Sequence, residues 1–235
     1  MNAYIQNNTK HVLNGETAAL GCYEQGCWVV RCAHPLDHTF TSSDIAYGNV
    51  NFVEDILGKM DYKINSIGHV PDDLLPYAGR SIEKMTLRDA LKRQNVFLKP
   101  DAQFHKRFNG TTLQTSFDYI QLAKYDEEDP VLVSPIINIV SEWRGFICQD
   151  ELVDSRRYKG DFRVIPDHSV IEKHIKIWKD RPQAWSCDLG VTDKGETIII
   201  ECNDVMSLGW YGLVPSLVGR MLVVRWEEIH QKKST

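Results

Sequence analysis

The stretch from Ala184 to Asp204, AWSCDLGVTDKGETIIIECND, constrains this chain more than any other. Asp193-Lys194-Gly195-Glu196 has the composition of a tight turn and leads into β-branched residues, so the segment reads as a β-hairpin. With Lys194-Gly195 as a two-residue loop, Asp193 faces Glu196. Counting back along both strands then sets Asp188 opposite Glu201, with Asn203 two residues on and on the same face. Like charges directly opposed destabilise a sheet unless a cation lies between them. Hard oxygen donors with no imidazole or thiolate suit Mg²⁺ or Mn²⁺, ions that commonly carry phosphates. An ordinary exposed hairpin with surface acids is the competing reading, and the hairpin alone leaves both open.

Composition narrows the class. At 235 residues, 43% hydrophobic and 25% charged, the chain has the make-up of a folded globular protein of one large domain or two small ones. A formal net charge of −5 provides no electrostatic footprint for nucleic acid or an anionic membrane. The first residues lack the apolar core of a signal peptide and no run approaches the length of a membrane span, so a cytoplasmic location is expected. The six cysteines are then expected as free thiols. Cys22, Cys27 and Cys32 lie close to His34 and His38, but their spacing lacks the C-x2-C knuckle of common zinc sites.

Periodicity predicts helices over Val50–Lys59, from a Thr86 cap through Arg93, after a cap at Asp167 or Ser169 through Trp178, and over Pro215–His230. Strands are expected at Trp28–Cys32, at Asn95–Lys99 with a stop at Pro100, and as two pieces at Pro130–Pro135 and Ile136–Val140 joined by a hinge. Glu142–Cys148 and Glu151–Tyr158 suggest an antiparallel pair turning at Gln149-Asp150. The remainder of the first 48 residues reads as mixed. Antiparallel pairs with a few helices argue an α+β, or mixed α/β, chain in at least two lobes.

Three constellations carry cations. Lys99 ends an apolar strand before a loop with Lys106, Arg107, Asn109-Gly110 and Thr111-Thr112, a pattern able to neutralise and cover phosphate oxygens. Glu142 and Arg144 alternate on one strand and share a face; they suit a simple ion pair or an arginine that reads phosphate with both arms. Arg156, Arg157 and Tyr158 add donors one hairpin later. Neither a Walker motif nor a GxGxxG fingerprint is present.

The order Phe97-Leu98-Lys99-Pro100, Lys106-Arg107-Phe108-Asn109-Gly110, Val133-Ser134-Pro135-Ile136, Ser141-Glu142-Trp143-Arg144, Asp188-Leu189-Gly190-Val191 and Ile200-Glu201-Cys202-Asn203-Asp204 resembles the ATP-grasp superfamily. Within it the chain is similar to the small clade of bacteria and their phages named for two arginines and a lysine, and Ser207-Leu208-Gly209-Trp210-Tyr211-Gly212 adds to the likeness. The resemblance implies an ATP-grasp fold, two α+β subdomains gripping ATP, over residues 86–135 and 136–235, preceded by a small α/β domain at 1–85. It implies that Lys99 contacts the α- and β-phosphates, with Lys106 and Arg156 in support. The backbone at Ser134, Pro135, Ile136 and Ile137 would hold the adenine edge, Glu142 would lie near the ribose or acceptor, and Arg144 would stabilise the transferring phosphoryl group. Asp188, Glu201 and Asn203 would coordinate Mg²⁺. The hinge departs from many members, which carry an acidic residue where Ser134-Pro135 stands. The activity implied is ADP-forming ligation of a small-molecule or peptide carboxylate to an amine through an acyl phosphate. The alternative is an ATP-Mg-binding assembly factor acting on a protein partner without turnover; no nucleic acid or membrane partner is expected.

Overall fold

The expected hairpin lies inside the largest sheet of the molecule. A computed structural model describes residues 1–7, 12–35, 38–62, 68–101 and 108–233. Its largest sheet contains β4 (Gly68–His69), β9 (Ile139–Cys148), β10 (Glu151–Gly160), β11 (Ala184–Thr192) and β12 (Thr197–Asp204), in the order β10-β9-β11-β12-β4. Every residue of β11 is buried, which accounts for its uninterrupted apolar character apart from Asp188 and small polar residues. β9 and β10 form the second expected hairpin, turning at Gln149 and Asp150, both left-handed with φ of 52° and 66°. α5 (Ser169–Ile177) packs Ile171 and Ile175 into the cluster that holds Trp185 and Leu189. His168 occupies its N-cap position, and Asp167 accepts from the Ser169 amide instead of capping the helix itself.

A second sheet, in the order β5-β8-β6-β7, is built from β5 (Glu83–Thr86), β6 (Val96–Pro100), β7 (Thr111–Leu113) and β8 (Pro130–Pro135). Leu87 and Ala90 of α3 (Leu87–Ala90) and Leu122 of α4 (Ser116–Leu122) cover it, joining Leu98, Leu113 and Val131. Thr86 caps α3 through the Asp89 amide, but the helix ends at Ala90 and does not reach Arg93. β6 also continues through Pro100 instead of stopping before it. Pro100 pairs with Val131, while β7 covers only Val96–Leu98, so the proline lies where the ladder on that side has ended. Ile136–Asn138 then carries the chain from β8 to β9, from one sheet to the other; the separate strand piece expected at Ile136–Val140 is the start of β9.

The N-terminal region is more regular than its sequence suggests. β1 (Asn2–Gln6), β2 (Trp28–Cys32) and β3 (Ile45–Tyr47) form a parallel sheet in the order β2-β1-β3. α1 (Val12–Glu24), α2 (Val50–Lys59) and α6 (Pro215–Lys233) pack with it into one core with Trp210 and Trp226. The Asn49 side chain caps α2 by accepting from the Phe52 amide. The expected boundary at residue 85 falls inside β5, and α6 returns from the C-terminal end to pack on α1. All six cysteines are buried thiols, and among the described residues no helix is long and apolar enough to cross a membrane.

The α1–α6 crossing explains the glycines in both helices. A Cβ at Gly21 would come within 2.1 Å of the Pro215 carbonyl oxygen and 2.6 Å of the Gly219 amide nitrogen, and a Cβ at Gly219 within 2.1 Å of the Gly21 oxygen. Backbone cannot yield as a side-chain tip can, so the helices would have to separate. Gly21→Ala is therefore expected to cost about 1–3 kcal/mol, as overpacking does, and to lower Tm by about 2–10 °C. Gly58→Ala in α2, whose Cβ would meet nothing within 4 Å, is expected to leave Tm unchanged or raise it, because alanine is the better helix former. Thermal melts of the two variants should move in these different directions.

Candidate functional site

The register that brings Asp188 opposite Glu201 is present, although the turn differs from the expected one. Thr192 and Glu196 close a three-residue loop, with the Thr192 amide donating to the Glu196 carbonyl at 2.9 Å and Gly195 at φ 80°. That loop pairs Val191 with Thr197 and Leu189 with Ile199, one residue out of step with a two-residue turn. A bulge between Asp188 and Leu189 leaves Ile200 unpaired and restores the step, so Glu201 meets Asp188 and Asn203 meets Ser186. Arg80 holds the bulge: its guanidinium donates to the carbonyls of Ile199 at 2.7 Å, Ile200 at 3.0 Å and Ala78 at 2.9 Å. Nothing in a lone arginine between Gly79 and Ser81 signals this role in the sequence.

Four charges then line up across the large sheet, because Arg156 pairs in register with Arg144, Arg144 with Asp188, and Asp188 with Glu201. Residues opposed across a ladder share a face. Arg144 is buried and grips Asp188 with both arms, Nε to Oδ1 and Nη2 to Oδ2, each at 2.7 Å. Its Nη1 donates to the Gly209 carbonyl at 3.2 Å, and its guanidinium lies 5.8 Å from the Tyr158 ring centroid and 5.1 Å from that of Tyr211. Burial opposes the Arg144 charge, but the hydrogen bonds and Coulomb attraction of Asp188 outweigh it and hold the guanidinium above its ordinary pKa. Burial pushes the Asp188 carboxyl upward, Arg144 pulls against that, and the neighbouring Glu201 and Glu142 add to the rise.

At the far end of the row Glu201 takes its cation from the other sheet. Lys99 of β6 donates to Glu201 Oε2 at 2.6 Å and to the Gly68 carbonyl at 2.9 Å, and Asn203 donates to Glu201 Oε1 at 3.2 Å. At the near end Arg156 pairs with Asp154 at 2.7 Å and keeps a buried Nε that has no partner among the described residues. Glu142 shares the face of Arg144 as expected, and is held by Lys159 at 2.5 Å and by the Tyr158 hydroxyl. Ser134 is buried and lines a slit of about 20 Å³ with Lys99, Phe97, Arg80 and Ile200, between the two sheets. Pro135 and Ile136 are exposed and Ile137 is half-buried on the connection that leaves the slit. Lys106 lies outside the described residues.

The structure therefore brings Lys99, Arg144, Arg156, Asp188, Glu201 and Asn203 into one band. Its donors fit a hard cation only in part. Glu201 and Asn203 carry adjacent oxygens of the right kind, but Lys99 and Asn203 occupy both oxygens of Glu201 and Arg144 both oxygens of Asp188. Among the described residues no cluster of three or more His, Cys, Asp or Glu side chains forms a metal site. Tyr158 and Tyr211, whose rings stack at 5.1 Å and 21°, complete the band. Tyr211 adopts a left-handed φ of 48°, uncommon outside glycine and asparagine.

Comparison with known proteins bears on this arrangement. The ATP-grasp domain family that is the second of the clade named for two arginines and a lysine matches residues 77–221, more than half of the chain. No curated protein matches the sequence. Among solved structures, D-cycloserine synthetase DcsG is similar over 97% of this chain and 99% of its own, at 11% identity and a TM-score of 0.58. The D-alanine–D-alanine ligase of Bacillus anthracis complexed with ATP is similar over 99% and 98%, at 12% identity and a TM-score of 0.55. The ATP-grasp ligase PsnB complexed with a minimal precursor is similar over 95% and 98%, at 12% identity and a TM-score of 0.55. At these identities the likeness is one of fold.

Removing one partner of the buried pair should cost far more than removing both. Asp188→Asn leaves the Arg144 charge buried and unpaired, an effect of about 3–5 kcal/mol. The double variant Arg144→Met/Asp188→Leu is expected to recover most of that loss. Denaturant midpoints for the two variants test this, and equal destabilisation by both would contradict it.

Proposed function

Because the chain belongs to the two-arginine, one-lysine clade of the ATP-grasp family, we propose that it is an ATP-dependent ligase that joins a carboxylate to an amine through an acyl phosphate. The observation that carries the reading is the row Arg156, Arg144, Asp188, Glu201 facing Lys99. Adjacent arginines at one end, with an Arg156 Nε that has no partner among the described residues, suit an anion. Adjacent acids at the other end, with the Asn203 amide, suit a divalent cation. A nucleotide triphosphate with Mg²⁺ supplies both at once.

On this reading Lys99 moves from Glu201 to the α- and β-phosphates, freeing Glu201 to join Asn203 in holding Mg²⁺, with Asp188 anchored behind them by Arg144. Mg²⁺, when bound, would screen the charge between the phosphates and an incoming carboxylate. Arg144 and Arg156 draw off charge on the transferring phosphoryl group. A carboxylate oxygen attacks the γ-phosphorus, the bond to the bridging oxygen breaks, and ADP departs. An amine nitrogen then attacks the acyl carbon, phosphate leaves, and the amine proton passes to phosphate or solvent. Glu142, held by Lys159 and Tyr158, borders the ribose or the acceptor. Ser134, Pro135, Ile136 and Ile137 provide the adenine edge, and Lys106 is proposed to add a cation for the phosphates. The slit beside Ser134 is far smaller than a nucleotide, so entry requires the two sheets to part about Ile136–Asn138. The acids and amines of the like-folded ligases range from single amino acids to a precursor, and this chain is proposed to act on a small molecule or a peptide in the same way.

A thermal-shift series tests the nucleotide site. ATP with Mg²⁺ at about 100 times Kd is worth about 2.7 kcal/mol to the native protein, a rise of about 5–10 °C. Glu201→Gln is expected to lose most of that rise with Mg²⁺ while keeping its own Tm near that of the parent. Release of ADP that needs both an acid and an amine would complete the case. Tight MgATP binding with no ADP release across a broad panel of acids and amines would instead favour the assembly-factor reading.

A further inference from the structure

A second cavity lies outside the charge row, at the carboxyl ends of the parallel strands β1 and β3. It measures about 480 Å³ and is lined by Gln6, Asn14, Tyr47, Asn49, Ser207 and Tyr211, together with Val50, Leu208 and three glycines. That volume falls in the range of small-molecule pockets. None of its described lining side chains carries a formal charge.

Its three carboxamides are arranged alike. Gln6 Oε1 accepts from the Asn49 amide at 2.7 Å, Asn49 Oδ1 from the Phe52 amide at 2.8 Å, and Asn14 Oδ1 from the Trp210 amide at 3.2 Å. Each oxygen is thus occupied by backbone, and none of the three NH₂ groups donates to a described residue. What remains for a ligand at Gln6, Asn14 and Asn49 is a set of donors. Asn14 and Asn49 also sit at the N-terminal ends of α1 and α2, where the helix dipole adds positive potential. The cavity meets the charge row through one segment: Gly209 and Tyr211 line it, the Gly209 carbonyl accepts from Arg144, and the Tyr211 ring lies over Arg144.

We infer that this cavity binds the acid substrate, and that the substrate is a small acid bearing a second oxygen-rich acceptor group, such as a dicarboxylate, which the NH₂ groups of Gln6, Asn14 and Asn49 recognise. The assignment of the ligand as the ligase's acid rests on the function proposed above; the preference of the cavity for oxygen acceptors over cations does not.

The experiment uses the full chain labelled with ¹⁵N and follows side-chain NH₂ resonances, identified by their loss in Gln6→Glu, Asn14→Asp and Asn49→Asp. Acetate, succinate, malate and citrate are titrated without nucleotide, with 1,4-diaminobutane as the cationic match for succinate. The expected result is that at least one acid with a second acceptor group moves all three NH₂ pairs while the diamine moves none, and that Asn14→Asp weakens that acid at least tenfold. Aspartate keeps the acceptor for the Trp210 amide and suits a first helical turn, so the Tm without ligand should be unchanged. Equal shifts with the diamine, or no shift with any acid in the series, would overturn the inference. The MgATP thermal shift of Asn14→Asp is expected to match that of the parent. Acid binding that survives loss of the MgATP shift would sink the ligase reading alone, and an intact MgATP shift without acid binding would sink this inference alone.

Discussion

The buried pair between Arg144 and Asp188 is the interaction on which the rest of the site depends. Two charges on the central strands of the large sheet must be satisfied there, and they are: two hydrogen bonds join them, a backbone carbonyl takes a third guanidinium donor, and two aromatic rings flank the cation. Such a pair adds little net stability compared with well-packed apolar residues of similar size. Its effect is on position. With Asp188 committed to Arg144, Glu201 takes Lys99 from the other sheet. The two sheets are thereby tied by charge at the edge of the slit between them, and the tie is one that an incoming cation and anion can exchange with.

A single unpaired residue decides which side chains take part. Glu201 and Asn203 are two apart on β12, so a one-residue slip would turn both to the opposite face. The bulge at Ile200 prevents the slip that the three-residue turn would otherwise impose. Arg80 fixes the bulge through the carbonyls of Ile199 and Ile200, and it belongs to the connection just before β5. The position of Glu201 is thus set by a residue about 120 positions earlier in the chain.

This explains what could and could not be read from the amino acids alone. The pairing of Asp188 with Glu201 was legible, but through two compensating irregularities: a longer turn shifted the register and the bulge shifted it back. Local composition does not encode either. Alternation along Glu142–Arg144 and the turn at Gln149-Asp150 were legible because a half-buried antiparallel hairpin writes its period into the sequence. α1 was not, because Gly15 and Gly21 read as helix breakers, and only the close approach to α6 shows why Gly21 is needed. β1 and β3 are short strands of a parallel sheet buried by that same packing, so they show no alternation to detect. The engagement of Asp188 by Arg144 also lay beyond sequence reading, since the order β10-β9-β11-β12 is a property of the assembled sheet.

The segment Gly209–Gly212 links the two chemical environments of the molecule. Tyr211 is held in a left-handed conformation, which costs about 1–3 kcal/mol for a residue with a side chain. Stacking on Tyr158 and contact with Arg144 offset part of that cost. One face of the segment closes the donor-lined cavity, and the other supplies the Gly209 carbonyl to the charge row. A displacement of Arg144 therefore cannot leave the cavity wall untouched, because the same tyrosine ring forms part of both. Loss of the Arg144 contact would remove one of the two partners that hold the Tyr211 ring, at the wall between the cavity and the charge row.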